Sequence, residues 1–244
     1  MELLTRYRRW PTWLWANYEM VPLIQWLASY NKVAENSEKI AFYGLDLFNI
    51  TGAADDLFNH IQPADTAMRS AVRHFKDCFS SFAVDEQRYQ SNIREPNGNC
   101  AVEAENVNEI AVSRFSDQLP NQSAMVMRQD ACIIVDGERY LRTRGNAADA
   151  WNLREMHMQE TINRLLQFYG QSAKLIIWAH NSHAGASRFG SMNWAGKTSL
   201  ANLLKYQYGT GDVFITGFGF FTGSFIAAEQ WNGASKKNGS RPGR

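Results

Sequence analysis

Leu175-Ile176-Ile177-Trp178-Ala179-His180-Asn181-Ser182-His183 decides how this chain is read. An apolar run followed at once by a polar, imidazole-rich turn predicts a buried strand that delivers chemistry at its end. Open α/β sheets present ligand-binding groups at the carboxyl ends of their strands. Two of the chain's five histidines stand here, three positions apart. The plainer reading is a strand ending in structural polar residues. The sharper one is a site on which titratable groups converge.

Working outward, Lys39 to Gly44 and Asp212 to Phe218 have the same short apolar character as Lys174 to Ala179. Helical patterns separate them: Ala53 to Ile61, Ala64 to Ser91, Val102 to Leu119, Ala147 to Tyr169 and Ser199 to Tyr208. Thr12 to Asn31 also reads as a helix, capped by Thr12 and kinked at Pro22. Ser123 to Arg144 is ambiguous around Cys132 to Val135 and is assigned as helix. Gly170 is the expected C-cap of its helix, and Glu95-Pro96-Asn97-Gly98-Asn99 is the clearest loop. Strand, helices, strand, helix, strand indicates an α/β fold with a mainly parallel central sheet flanked by many helices. One domain over residues 1–235 is expected, followed by a disordered basic tail at 236–244.

Composition narrows the function classes. The chain has 244 residues, 45% hydrophobic and 20% charged, so a sizeable core is available. A net charge of +1 makes no electrostatic case for nucleic acid or an anionic membrane. No stretch approaches the ~20 apolar residues of a membrane span. Three cysteines, Cys78, Cys100 and Cys132, are odd in number and widely spaced, which disfavours a disulfide framework or a zinc knuckle. A cytoplasmic, reduced protein is the simplest expectation. Eight tryptophans, with Trp10, Trp13, Trp15 and Trp26 crowded near the start, fit core packing or a wall for a bulky apolar ligand.

Candidate chemistry follows from the strand ends. Asp46, His180 with His183, and Gly217-Phe218-Gly219 would lie along one sheet edge, with Asp46 equally readable as a turn cap. Arg154 and His157, spaced i, i+3, share one helix face. Pointing inward they would bind an anion or orient an acid; pointing outward they would be solvated. The serine elbow Gly-x-Ser-x-Gly, a dinucleotide fingerprint, a phosphate-binding loop and His-Glu-x-x-His are all missing from the sequence. His180-x-x-His183 alone is a weak metal signal, because a site needs a third ligand, for which Asp46 is the candidate. No metal or cofactor is therefore expected. Imidazole acid–base chemistry on an ester, without a covalent intermediate, is what remains.

Five stretches in order carry a resemblance: Arg9 to Trp15, Phe42 to Leu47, Trp151 to Met158, Trp178 to His183, and Gly217-Phe218-Gly219. Together they resemble the erythromycin esterase family. The resemblance implies a hydrolase that opens macrolide lactones, or related esters, with activated water, and hence a link to antibiotic resistance. It implies active-site roles for His180 and His183, to which the residue reading adds Asp46 as a catalytic candidate and Arg154, His157, Trp13 and Trp178 as candidate substrate contacts. The partner implied is a small-molecule ester, with no nucleic acid and no membrane. Family members also carry an upstream Gly-Glu-x-x-His-Gly segment that supplies the main general base. The chain as read starts beyond it, which implies a sheet without its first strand and the middle of a longer or split protein. The alternative expectation is an inactive fragment or a ligand-binding remnant.

Overall fold

The computed structural model describes residues 11–81, 89, 91–93, 95, 98–115, 121–170, 172–187, 191–219, 221–229 and 233–240, the last four by backbone alone. Two compact units are formed: Leu45–Gly217, and the segments on either side of it.

In the flanking unit the expected first helix is two, α1 (Thr12–Trp15) and α2 (Met20–Val33). Asn17 makes the break. Its Nδ2 donates to the carbonyls of Trp13 (3.2 Å) and Leu14 (3.0 Å), while its Oδ1 accepts from Met20 N–H at 3.0 Å. Pro22 therefore sits in the first turn of α2, where a missing N–H costs nothing, rather than at a kink. The expected strand at Lys39 to Gly44 has no ladder partner among the described residues. The side chain of Asn31 instead takes both backbone groups of Ile40, at 2.7 and 2.8 Å. Residues 236–240, expected in a disordered tail, form β2 (Lys236–Ser240), antiparallel to β1 (Gly223–Ala227). Backbone pairing needs no apolar side chains, and Lys236 Nζ holds Glu229 at 2.9 Å. Trp10 and the remainder of the tail, 241–244, lie outside the described residues, as do residues 82–88 and 116–120 of the expected helices.

The larger unit is helical: α3 (Ile50–His60), α4 (Thr66–Ser80), α5 (Ala101–Arg114), α6 (Gln122–Thr143), α7 (Ala147–Tyr169), α8 (Asn181–Ala184), α9 (Ser191–Trp194) and α10 (Leu200–Tyr208). Helices α3 to α6 close on one core through Leu57, Val72, Phe75, Val107 and Ile134. The ambiguous Cys132 to Val135 stretch is buried within α6. Gly137 lets α3 and α6 approach closely, since a Cβ there would meet Ile50 Cγ1 at 2.5 Å. Gly170, at φ 90°, caps α7 as expected. Two of the three cysteines are bonded, Cys78 of α4 to Cys100 at the head of α5. Cysteine parity cannot exclude a pair; Cys132 is the free and buried one.

Helix α7 has a second face. There Met158 and Ile162 pack with Leu200 and Leu204 of α10 in a smaller core. Leu45, Ile177 and Val213, each beside or within a predicted strand, pack on this same core. Around Ile177 and Val213 burial alternates, and the adjoining side chains are open: Ile176 is 99% and Phe214 94% exposed. A parallel sheet is covered on both faces. Here the segments converge on one side only, and no parallel ladder joins them among the described residues.

Candidate active site

Helix α7 organises the site, and its start is secured by Asn146, whose side chain accepts from the N–H groups of Ala148 and Asp149. In the next turn Trp151 and Glu155 stand four apart, on the face that continues to Met158 and Ile162. That face receives His183. The Nδ1 of His183 lies 2.5 Å from Glu155 Oε1, and the Trp151 indole stacks on its ring at 4.9 Å. Glu155 is 0% and His183 8% exposed.

Nothing about Glu155 is left unused. Its second oxygen, Oε2, accepts from Leu200 N–H at 2.7 Å, satisfying the first orphan donor of α10. A buried carboxylate would be costly without such partners. The loop ahead of α10 is fastened to the same turn of α7. Trp151 Nε1 donates to Thr198 O at 2.6 Å, and Asn152 bonds Gly196 O and Thr198 N–H, both at 2.8 Å. Ser199 caps α10 and donates to Gly185 O at 2.7 Å, tying that loop to the end of α8.

His180 stands at the other end of this four-residue helix as its N-cap. Its Nδ1 accepts from Ser182 N–H at 3.2 Å, with Ser182 Oγ 3.0 Å away. The backbone carbonyl of His180 accepts from His183 N–H at 2.8 Å, so the two imidazoles are fixed to one turn. Trp178, two residues upstream, is 66% exposed.

Asp46 is gripped by Arg154 through Nε, at 3.0 and 3.2 Å, and through a terminal nitrogen at 2.6 Å. It also accepts from Leu47 N–H at 2.9 Å, so it is a turn cap and an ion-pair partner at once. Burial works most strongly against the Arg154 charge, but the hydrogen bonds to Asp46 and the attraction of the Asp46 and Glu155 carboxylates together outweigh it and raise the guanidinium pKa. Arg154 lies 4.7 Å over the Phe48 ring and 5.9 Å from that of Trp151. Trp151 thus links the Asp46–Arg154 pair to His183.

His157 is not part of that gathering. It points inward to α6, where Nδ1 meets Asp136 Oδ2 at 2.8 Å and Gln129 approaches Nε2 at 3.5 Å. Thr161 and Arg164 complete this layer through Gln129, at 2.9 and 2.8 Å. Trp13 belongs to the flanking unit, and its buried Nε1 has no partner among the described residues. Sequence reasoning missed Glu155 and Trp151, though both lie in the Trp151 to Met158 stretch. Their i, i+4 spacing was the available signal, but spacing alone does not separate a buried carboxylate from a solvated one. Among the described residues no group of three His, Cys, Asp or Glu is placed to hold a metal ion.

The family model described as erythromycin esterase matches residues 1–244. No solved structure matches this chain.

Proposed function

The chain belongs to the erythromycin esterase family, and on that premise we propose that it opens the ester bond of a macrolide lactone, or a related ester, with imidazole-activated water. The observation that carries this reading is the buried Glu155–His183 pair, stacked under Trp151 beside His180. A neutral imidazole is suited to take a proton from water and return it to the leaving oxygen. Water oxygen bonds to the carbonyl carbon, the ester C–O bond breaks, and the freed alcohol oxygen receives the proton. His180 and His183 are the catalytic pair in this proposal. Asp46 acts as the anchor of Arg154, whose charge lies near Trp151. Exposed Trp178 and Ile176 supply apolar surface suited to a macrocycle. Such a reaction would serve antibiotic resistance.

No helix among the described residues is long and apolar enough to cross a membrane. The Cys78–Cys100 bond removes the odd cysteine count as a ground for placing the protein in the cytoplasm, since disulfides persist in oxidising compartments.

Incubation of the purified protein with a macrolide, followed by mass spectrometry, tests the reading. The expected result is time-dependent gain of one water by the substrate, lost in His183→Asn. No gain above a heat-inactivated control, across macrolides and simpler lactones, overturns it.

A further inference from the structure

We propose that Arg128 of α6 and Arg164 of α7 form a binding site for a phosphate group, free or carried by a small molecule. The observation that carries it is a pair of half-buried cations without a counter-charge. Elsewhere in this unit Arg114, Arg139, Arg142 and Arg154 hold the carboxylates of Asp65, Glu105, Glu138 and Asp46 respectively. Arg128 and Arg164 hold only neutral groups. Arg128 donates through Nη1 to Asn108 Oδ1 at 3.0 Å and to Cys132 Sγ at 2.8 Å. Arg164 donates through Nε to Gln129 Oε1 at 2.8 Å and through Nη2 to Thr161 Oγ1 at 3.3 Å. Neither has an acidic partner among the described residues.

The two guanidiniums converge on one thiol. Burial pushes the Cys132 pKa up, and Arg164, then Arg128, pull against it. Coulombic attraction falls with distance, so Arg164 is not remote from the sulfur that Arg128 touches. Asp136 also acts on this thiol, but its charge is engaged elsewhere. Its Oδ2 lies 2.8 Å from His157 Nδ1 and its Oδ1 3.7 Å from Arg139.

Amide and hydroxyl oxygens orient these arginines without neutralising them. Gln129 is itself fixed, its Nε2 donating to Thr161 Oγ1 at 2.9 Å. Nε and Nη2 of Arg128 and Nη1 of Arg164 make no hydrogen bond among the described residues. A half-buried charge left unpaired is a cost that a bound anion removes. Guanidinium forks match the oxygens of phosphate, whose charge of about −1.5 to −2 near neutral pH balances both cations. A single carboxylate balances one. The site uses no residue assigned to hydrolysis, so it stands or falls apart from the hydrolase reading.

The test is equilibrium dialysis of the whole chain against radiolabelled inorganic phosphate at pH 7.5, with sodium chloride holding the ionic strength constant. The expected result is saturable binding of one phosphate per chain. Arg128→Gln and Arg164→Gln should each weaken it about tenfold or more, the size of a lost hydrogen bond to a charged group. Arg164→Lys keeps the charge but not the fork, and should bind between wild type and Arg164→Gln. Arg73→Gln, an exposed position on α4, should bind as wild type does. Circular dichroism confirms that each variant keeps its helices, and the wild-type stoichiometry stands without them. Methyl phosphate as competitor separates the sources: displacement shows a site open to phosphate esters, and its failure a site for the free ion. No saturable binding to wild type up to about 10 mM phosphate, unchanged affinity in both glutamine variants, or acetate competing as well as phosphate overturns the proposal.

Discussion

The indole of Trp151 lies parallel to the imidazole of His183, with centroids 4.9 Å apart and 2° between their planes. Trp151 also stands one helical turn before Glu155, so a single turn of α7 supplies both the ring's stacking partner and its carboxylate. Replacing Trp151 with Ala leaves the Glu155 hydrogen bond but frees the ring to tilt. Turnover should fall on the order of 100-fold, as expected for a misplaced catalytic group, whereas Trp151→Phe should retain most of it. Steady-state kinetics with a thermal melt of each variant checks this.

The Asp46–Arg154 pair depends on a planar fork that lysine lacks. Arg154→Lys should cost about 1–2 kcal/mol, the range for a half-buried charge-assisted contact. Urea unfolding with an unchanged denaturant slope measures it. A loss of less than a few tenths would mean that the pair does not anchor the segment after Leu45.

Asp130, on α6, is 8% exposed, and its Oδ2 has no hydrogen bond among the described residues. Burial chiefly, and Asp56 next, push its pKa up to about 7, with His60 opposing. The folded state therefore holds this proton more tightly than the unfolded state does. Stability should fall as pH rises from about 4 to about 7, and the penalty is fully present above that window. Asp130→Asn should remove this slope and stabilise the protein at pH 8 by on the order of 3 kcal/mol. Denaturant melts of both proteins across that range decide it.

Gly137→Ala introduces a Cβ at 2.5 Å from Ile50 Cγ1 and 3.0 Å from Leu47 O. The side chain can shift but the carbonyl cannot, so overpacking should outweigh any gain in helix propensity. A loss of about 1–3 kcal/mol is expected by chemical denaturation.

Thiol titration in denaturant should find one reactive cysteine, Cys132, and three after reduction. Reduction should destabilise the native protein by about 3 kcal/mol, within the usual range for a loop of this size. Three thiols without reductant would remove the bond from the account.

Helices with a strong pattern and good caps were readable from the chain: α7 keeps the expected bounds, Ala147 to Tyr169, because Asn146 and Gly170 mark both ends. The first helix was not, since its break depends on how the Asn17 side chain folds back on Trp13 and Leu14. The apolar segments were legible as short hydrophobic runs. Their pairing was not, because a ladder depends on distant partners that no local pattern encodes. The histidine turn was visible as a cluster. Its orientation was not, because Glu155 lies 28 positions away in sequence from His183, and burial alone distinguishes that carboxylate from its solvated neighbours.

The most direct test of the central claim, that imidazole-activated water attacks the ester carbonyl, is a single-turnover reaction in heavy-oxygen water, with the ring-opened product read by mass spectrometry. The account predicts one solvent oxygen in the new carboxylate at the first turnover, and no product from His183→Asn. Unlabelled carboxylate at the first turnover, or product formed equally by His183→Asn, would contradict it.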